Sequence, residues 1–177
     1  MPKSTFAGHP LHPMLIVAPA ALIPFGFILD AMHRRTGNPS YADAAYYSLV
    51  GGMIGGLAAG ATGAMDYLTI ESKTEVKRTA NVHASLNGAA LALTALNIAQ
   101  RRTNRDRGSL MLSAIAAAGV LVSGWFGGRL VYDQGMRVKG VSPVAEAPDL
   151  ALPADDKLEH MMLREEQIAP ASGPVLH

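Results

Sequence analysis

Histidines are the residues of this chain best suited to chemistry, because an imidazole can ligate a metal, bind haem iron or move a proton near neutral pH. His9 and His12 lie in the run Gly8–Pro13, and a proline follows each of them. Proline disfavours helical backbone in the residue before it, so both imidazoles are expected on an extended segment. A third histidine, His83, immediately precedes a later apolar run. His9, His12 and His83 are therefore the candidate ligands of a haem b or a metal ion.

Four runs without Asp, Glu, Lys or Arg must position these histidines: 14–29, 44–65, 84–99 and 109–128. A helix needs roughly 20 residues to cross the hydrocarbon of a bilayer, and with their flanks all four runs are that long. None of them carries the charged face that a helix of a soluble bundle presents to water. The sequence therefore predicts an all-α, four-helix transmembrane bundle, with spans at about 13–32, 44–67, 82–100 and 109–130.

The composition changes near residue 140, which divides the chain into a membrane domain (1–140) and a tail (141–177) rich in Pro, Ala and acidic residues. We expect this tail to be polar and mostly disordered, with a short amphipathic helix at 155–168. The chain has no cysteine, which excludes disulfides and thiolate metal sites. Its net charge of +1 offers no basic surface of the kind that binds nucleic acid.

With four spans, alternate connections lie on opposite sides of the membrane, and this places His9, His12, Asp66 and His83 on one side. We expect His12 and His83 to face each other near one bilayer surface. Asp66, at the end of the second span, is expected close by, where its carboxylate would orient an imidazole. The alternative is a collar of hydrogen bonds and salt bridges that ties the helix ends together. The spacing of these residues leaves both interpretations open.

Small and polar residues recur at helical spacing within the spans. Glycines allow helix backbones to approach closely where lipid provides no hydrophobic drive for association. The glycines assigned to helix packing are Gly52, Gly56, Gly60, Gly63, Gly124 and Gly128. In the third span, Asn87, Thr94 and Asn97 continue the face that carries His83, as a polar stripe on an otherwise apolar helix. Polar groups at that depth are expected to face the bundle interior and find partners there.

Four motifs carry a family resemblance: Gly8–Pro13, the end of the second span at Asp66–Leu68, His83 with Asn87, and the run 123–132, which reads SGWFGGRLVY. Through them, roughly residues 8–140 resemble a family of bacterial four-span membrane proteins classed as a domain of unknown function. The resemblance implies an integral membrane protein. Some relatives are joined to a Rieske-type iron–sulfur domain, which implies electron transfer and haem.

This chain departs from the family pattern at three positions. Many relatives have His at the position of Val17, Glu at that of Arg129 and His at that of Gln134. If those family histidines bind haem, this member has lost some of the ligands. It also has no cysteine, so we expect no iron–sulfur domain of its own.

Three classes of function follow. The favoured one is an accessory redox subunit that binds haem or a metal ion, with a redox partner or a second copy of the chain beside it in the lipid bilayer. The alternatives are a non-catalytic assembly or structural subunit, and a small transporter or proton path lined by the polar stripe. The sequence contains no nucleophile–base constellation, phosphate loop or cofactor motif, so we do not expect an enzyme on its own.

The distribution of arginine predicts the orientation in a bacterial inner membrane. By count, Lys and Arg outside the spans divide evenly, six on each side, so their density must decide the orientation. The first and third connections between spans are short and concentrate arginine: Arg34, Arg35, Arg101, Arg102, Arg105 and Arg107. Short loops rich in Lys and Arg remain in the cytoplasm. We therefore expect a multi-pass protein with both termini in the periplasm.

Overall fold

The computed structural model describes residues 4–7 and 9–136, and it confirms the predicted all-α, four-helix transmembrane bundle. The helices are α1 (Leu11–Leu15), α2 (Val17–Thr36), α3 (Pro39–Leu68), α4 (Glu75–Gln100) and α5 (Leu110–Tyr132), with a 3-10 turn at Arg105–Arg107. A two-stranded antiparallel hairpin, β1 (Thr5–Phe6) and β2 (His9–Pro10), precedes α1. The tail at 141–177, with the helix expected at 155–168, lies outside the described residues.

Four helical segments are long and apolar enough to cross a membrane, and α1 and α2 together form the first of them, Leu11–Thr36. Large apolar side chains such as Phe25, Ile54 and Leu121 point outward and are more than half exposed. The interior is built from smaller groups, with one core cluster formed by Ile23, Leu49, Ala90, Ala116 and Val120. Apolar side chains on the outside and small ones inside are what a helix bundle surrounded by lipid requires.

Local sequence explains where the helices begin and end. Gly37 adopts a left-handed conformation (φ 70°) after α2, which a residue without a Cβ reaches at no steric cost. Asn38 then caps α3 by accepting a hydrogen bond from the backbone N–H of Ser40, and Pro39 takes the first helical position. Since only two residues separate α2 from α3, these helices pack antiparallel.

The four long helices form a ring in the order α2, α3, α4, α5, and each packs mainly against its two neighbours in that ring. The contact between α3 and α4 is the least extensive of the four. One end of the bundle, here called the arginine end, holds the connections at 37–38 and 101–109. The opposite end, here called the histidine end, holds the β1–β2 hairpin, the connection at 69–74 and the segment after Tyr132.

The two helical hairpins, α2–α3 and α4–α5, repeat the same pattern of buried positions. At one constant offset, five buried residues of α3 correspond to five buried residues of α5: Leu49 to Ser113, Gly52 to Ala116, Gly56 to Val120, Ala59 to Ser123 and Asp66 to Leu130. At a second constant offset, Ile23, Gly26 and Asp30 of α2 correspond to Thr94, Asn97 and Arg101 at the end of α4. The two hairpins therefore have similar patterns of buried residues, from which we infer two related halves about an approximate two-fold axis along the bundle.

Candidate functional site

His12 is held against α3 at the histidine end. Pro10 is extended and α1 begins at Leu11, so the imidazole of His12 projects from the first turn of that helix. Its Nδ1 lies 2.8 Å from the backbone carbonyl oxygen of Ala59. A carbonyl oxygen can only accept a hydrogen bond, so Nδ1 carries the hydrogen and the neutral ring keeps a lone pair on Nε2. The ring is thus oriented with one nitrogen available to bind another group.

Gly63 makes this position of the His12 ring possible. A Cβ at residue 63 would lie 2.8 Å from both Cε1 and Nδ1 of His12. Carbon atoms in van der Waals contact are about 3.5–4.0 Å apart, so the imidazole occupies space that any other residue type would fill. The backbone of α3 therefore forms a shallow seat for the ring.

His83 of α4 is held against α5 in the same manner. Its Nδ1 lies 2.8 Å from the backbone carbonyl oxygen of Ser123, which again places the hydrogen on Nδ1. The Ser123 hydroxyl donates to the backbone carbonyl oxygen of His83 at 3.1 Å and lies 3.0 Å from Nδ1. A Cβ at Gly127 would lie 3.0 Å from Cε1 of the ring. Each imidazole thus has a carbonyl partner and, four residues later on the same helix, a glycine seat.

The two imidazoles occupy equivalent places in the two halves of the bundle. Ala59 corresponds to Ser123 and Gly63 to Gly127, at the same offset as the buried positions of α3 and α5. The ring centres of His12 and His83 are 6.2 Å apart, and the ring planes are perpendicular. His83 lies eight residues after Glu75 at the start of α4, roughly 12 Å along the helix. The pair therefore sits inside the bundle, on its approximate two-fold axis.

Asn87 occupies the second nitrogen of His83. Its side-chain amide lies 3.1 Å from Nε2 and also donates to the backbone carbonyl oxygen of His83, at 3.1 Å. Because Nδ1 of His83 carries the hydrogen, Nε2 accepts from the amide. Any other ligand on this nitrogen would have to displace the Asn87 side chain.

The other two candidate residues at this end lie in different surroundings. Asp66 is buried and accepts hydrogen bonds from the backbone N–H and the hydroxyl of Ser4, at 3.2 and 2.8 Å. Asp66 lies three residues after Gly63 on α3. It therefore attaches the segment before His12 to the same helix that contacts the His12 ring. His9 belongs to β2 and is exposed. Within residues 4–7 and 9–136, no group of three His, Asp or Glu side chains is arranged to hold a metal ion.

The polar stripe of α4 makes hydrogen bonds within α4 and, through Asn97, to the start of α5. Thr94 is fully buried and its hydroxyl donates to the carbonyl oxygen of Ala90. Asn97 is also fully buried and exchanges two hydrogen bonds with the backbone of Ser109, the residue that caps α5. The stripe continues one turn further, to Arg101, whose Nε donates to the Asn97 side chain.

Six glycines were assigned to helix packing. Gly63 lies against the His12 ring, and the other five fall into two groups. A Cβ at Gly52 would collide with Ile23, and one at Gly56 would collide with Leu91, so these glycines allow close contact with α2 and α4. A Cβ at Gly60 or Gly124 would have no neighbour within 4 Å among the described residues, and at Gly128 it would meet only Tyr132 of its own helix. Packing among residues 4–7 and 9–136 therefore does not account for Gly60, Gly124 or Gly128.

The sequence reasoning did not identify the partners that orient the imidazoles. Two of them are backbone carbonyl oxygens, of Ala59 and Ser123, which leave no side-chain signal in a sequence. The glycine that follows each carbonyl by four residues is a signal, but it is only recognisable once both halves are aligned.

Comparison with known proteins assigns the membrane domain to a family. No match is found among curated proteins or among solved structures. A family model described as "Predicted membrane protein (DUF2231)" matches residues 8–140. That match covers most of the chain and all four long helices, and the chain therefore belongs to the DUF2231 family of membrane proteins.

Proposed function

We propose that this membrane protein is an accessory redox subunit that holds a haem between His12 and His83. The observation that carries the proposal is the matched pair of imidazoles, each fixed through Nδ1 to a backbone carbonyl. In haem and metal sites a hydrogen bond at one ring nitrogen sets the tautomer and leaves the other nitrogen to ligate. Two imidazoles bound to one metal ion through bonds of about 2 Å have ring centres roughly 6 Å apart. The ring centres of His12 and His83 are 6.2 Å apart, close to that distance.

The number of donors favours haem over a bare metal ion. A protein site for a bare transition metal needs three or four side-chain ligands. A haem brings four nitrogen ligands of its own and needs only one or two axial side chains. Two imidazoles on facing elements, with no third ligand among the described residues, suit the second case.

A flat macrocycle would need room to open beside the pair, because the two rings themselves cover the backbone at Gly63 and Gly127. The neighbouring helices α3 and α4 make the least extensive contact in the ring, so they can separate at the lowest cost in buried surface. When bound, a haem would supply one-electron transfer; His12 and His83 would hold it, and the surrounding helices would orient their imidazoles and exclude water. Asn87 would release Nε2 of His83 on ligation.

The absorption spectrum of detergent-purified full-length protein tests this proposal. We expect a Soret band that is lost in both His12→Ala and His83→Ala, because each ring supplies one axial ligand. His9→Ala is the matched control, since His9 is exposed and should leave the band unchanged. Asn87→Leu should keep or strengthen the band, because it removes the competitor for Nε2. A colourless preparation from cells supplied with iron and a haem precursor would overturn the proposal.

A structural collar is the second candidate, and the bond from Asn87 to His83 is the observation that favours it. In that case the imidazoles serve to join α1 to α3 and α4 to α5. His83→Ala would then lower the stability of a colourless protein, and Asn87→Leu would lower it too. A Soret band that Asn87→Leu keeps or strengthens indicates the haem site, whereas a colourless protein that Asn87→Leu destabilises indicates the collar.

We further propose that the arginine end faces the cytoplasm of a bacterium and that both termini lie in the periplasm. The support is the clustering of six arginines in the two short connections at that end. Alkaline phosphatase fused after residue 140 should be active, and a fluorescent protein fused at the same point should be dark. Fusions within the connection at 101–109 should give the reverse pattern. The opposite result at both sites would invert the orientation.

A further inference from the structure

The arginine end contains a cavity of about 50 Å³ between the two short connections. A single water needs roughly 10–15 Å³, so the cavity has room for a larger polar group. Six charged or titratable side chains line it: Asp30, His33, Arg34, Arg101, Arg105 and Asp106. Three guanidinium groups face two carboxylates, so the lining carries a net positive charge whether or not His33 is protonated.

The two carboxylates are already engaged. Asp30 accepts two hydrogen bonds from Nη2 of Arg101, at 2.6 and 2.7 Å. Asp106 lies 3.3 Å from Nε2 of His33, whose Nδ1 donates to the carbonyl oxygen of Asn38. The negative charge of the lining is thus directed at Arg101 and His33. Arg105 pairs with Asp43 outside the lining, with 3.7 Å between Nε and Oδ1, so the positive charge left without a partner is that of Arg34.

The side chain of Arg101 has more hydrogen-bond donors than its partners among the described residues accept. Its side chain is 1% exposed, Nε donates to Asn97 and Nη2 donates to Asp30. The two N–H groups of Nη1 have no acceptor among the described residues. Gly108 lies directly against the guanidinium, where a Cβ would collide with it. Asn97, Asp30 and Gly108 therefore fix the guanidinium, and Nη1 keeps two N–H donors that no described residue accepts.

Arg34 supplies a second, movable guanidinium. It belongs to the last turn of α2, is exposed, and has no hydrogen-bond or ion-pair partner among the described residues. Its neighbour Arg35 is also exposed but does not line the cavity. This pair of adjacent arginines, one at the cavity and one outside it, provides a matched comparison.

We propose that this cavity binds a phosphate group, carried either by an anionic phospholipid or by inorganic phosphate. Phosphate oxygens accept charge-assisted hydrogen bonds from guanidinium groups, which match their geometry. Here Nη1 of Arg101 provides the fixed donors, and Arg34 closes over the group from the rim. The cavity lies where the helices leave the bilayer, and basic pockets between membrane helices bind anionic lipid head groups. The proposal is independent of the haem site at the opposite end.

The test is a binding titration of the full-length protein in a neutral detergent, read as the shift in its thermal unfolding midpoint. The ligands are phosphatidylglycerol, inorganic phosphate and, as the uncharged control, phosphatidylcholine. We expect phosphatidylglycerol or inorganic phosphate to raise the midpoint in a saturable manner and phosphatidylcholine to have no such effect. Arg34→Gln should weaken this binding about fivefold, the effect of one arginine near a charged surface. Arg35→Gln should weaken it less than twofold.

The outcomes are distinguishable. Saturation by phosphatidylglycerol alone identifies a lipid head group, and saturation by inorganic phosphate, with competition between the two, identifies the free anion. Both support the site provided that Arg34→Gln and Arg35→Gln differ. Equal effects of the two substitutions would indicate a diffuse surface charge and overturn the proposal. So would equal shifts with phosphatidylglycerol and phosphatidylcholine, or no shift with any ligand.

Discussion

Asp30 and Arg101 occupy equivalent positions in the two halves of the bundle and form a buried ion pair between them. Each follows a histidine of the candidate site, His12 or His83, by eighteen residues. The carboxylate oxygens of Asp30 lie 2.6 and 2.7 Å from Nη2 of Arg101, and both side chains are almost fully buried. The approximate two-fold axis therefore passes through an imidazole pair at one end and an ion pair at the other.

We expect the loss of either partner in this ion pair to destabilise the fold strongly. Arg101→Met leaves the Asp30 carboxylate buried without its partner, and breaking a buried pair in this way costs about 3–5 kcal/mol. The double variant Asp30→Leu with Arg101→Met removes both charges and should recover most of that loss. Unfolding in detergent by a chemical denaturant measures all three proteins. A double variant no more stable than Arg101→Met would contradict this account.

Substitution of Asn97 should lower the unfolding free energy more than substitution of Asn87. Asn97 is fully buried and bonds both the N–H and the C=O of Ser109, so its loss leaves backbone groups at the start of α5 without partners. Asn97→Leu is expected to cost about 1–3 kcal/mol of unfolding free energy. Asn87→Leu in the same assay is the comparison. If Asn97→Leu folds normally but loses a measured transport or proton flux, the stripe is a path instead.

The sequence was sufficient to predict the four-helix bundle, because four runs without charged residues leave few alternatives to four membrane helices. It also indicated that the stripe of α4 faces inward. Arg101 was missed because it looks like one more arginine of a basic loop, although it lies four residues after Asn97 and so continues the stripe. Its partner could not be found from either helix alone. Asp30 and Arg101 are equivalent positions only when the two halves of the bundle are aligned. A comparison of residue types would not align them, because their charges are opposite.

The N-terminal segment should detach when Asp66 loses its charge. Asp66 accepts hydrogen bonds from the backbone N–H and hydroxyl of Ser4, and Ser4 in turn accepts from the backbone N–H of Leu11. Asp66→Leu leaves these donors without that acceptor and should release the segment that leads to His12. We expect faster hydrogen exchange at the backbone amides of residues 4–6, with α5 unchanged. Ser4→Ala removes only the hydroxyl and should give a smaller increase. If the amides of residues 4–6 exchange at the same rate in Asp66→Leu and in the unaltered chain, Asp66 does not hold the N-terminal segment in place.

The glycine seats give the most direct test of the two equivalent imidazole positions. A methyl group at residue 63 or 127 would lie 2.8 or 3.0 Å from an imidazole carbon, so Gly63→Ala and Gly127→Ala must displace the rings. Overpacking of this kind costs about 1–3 kcal/mol.

Gly60→Ala and Gly124→Ala are the matched controls, since each lies three residues earlier on the same helix with open space at the Cβ position. Alanine is favoured over glycine within a helix by roughly 0.5–1 kcal/mol, so these two variants should be neutral or more stable. Unfolding in detergent measures the four proteins side by side. A loss of stability at Gly60 and Gly124 as large as at Gly63 and Gly127 would mean that contact with another copy or another protein, and not the imidazoles, sets the need for glycine on these faces.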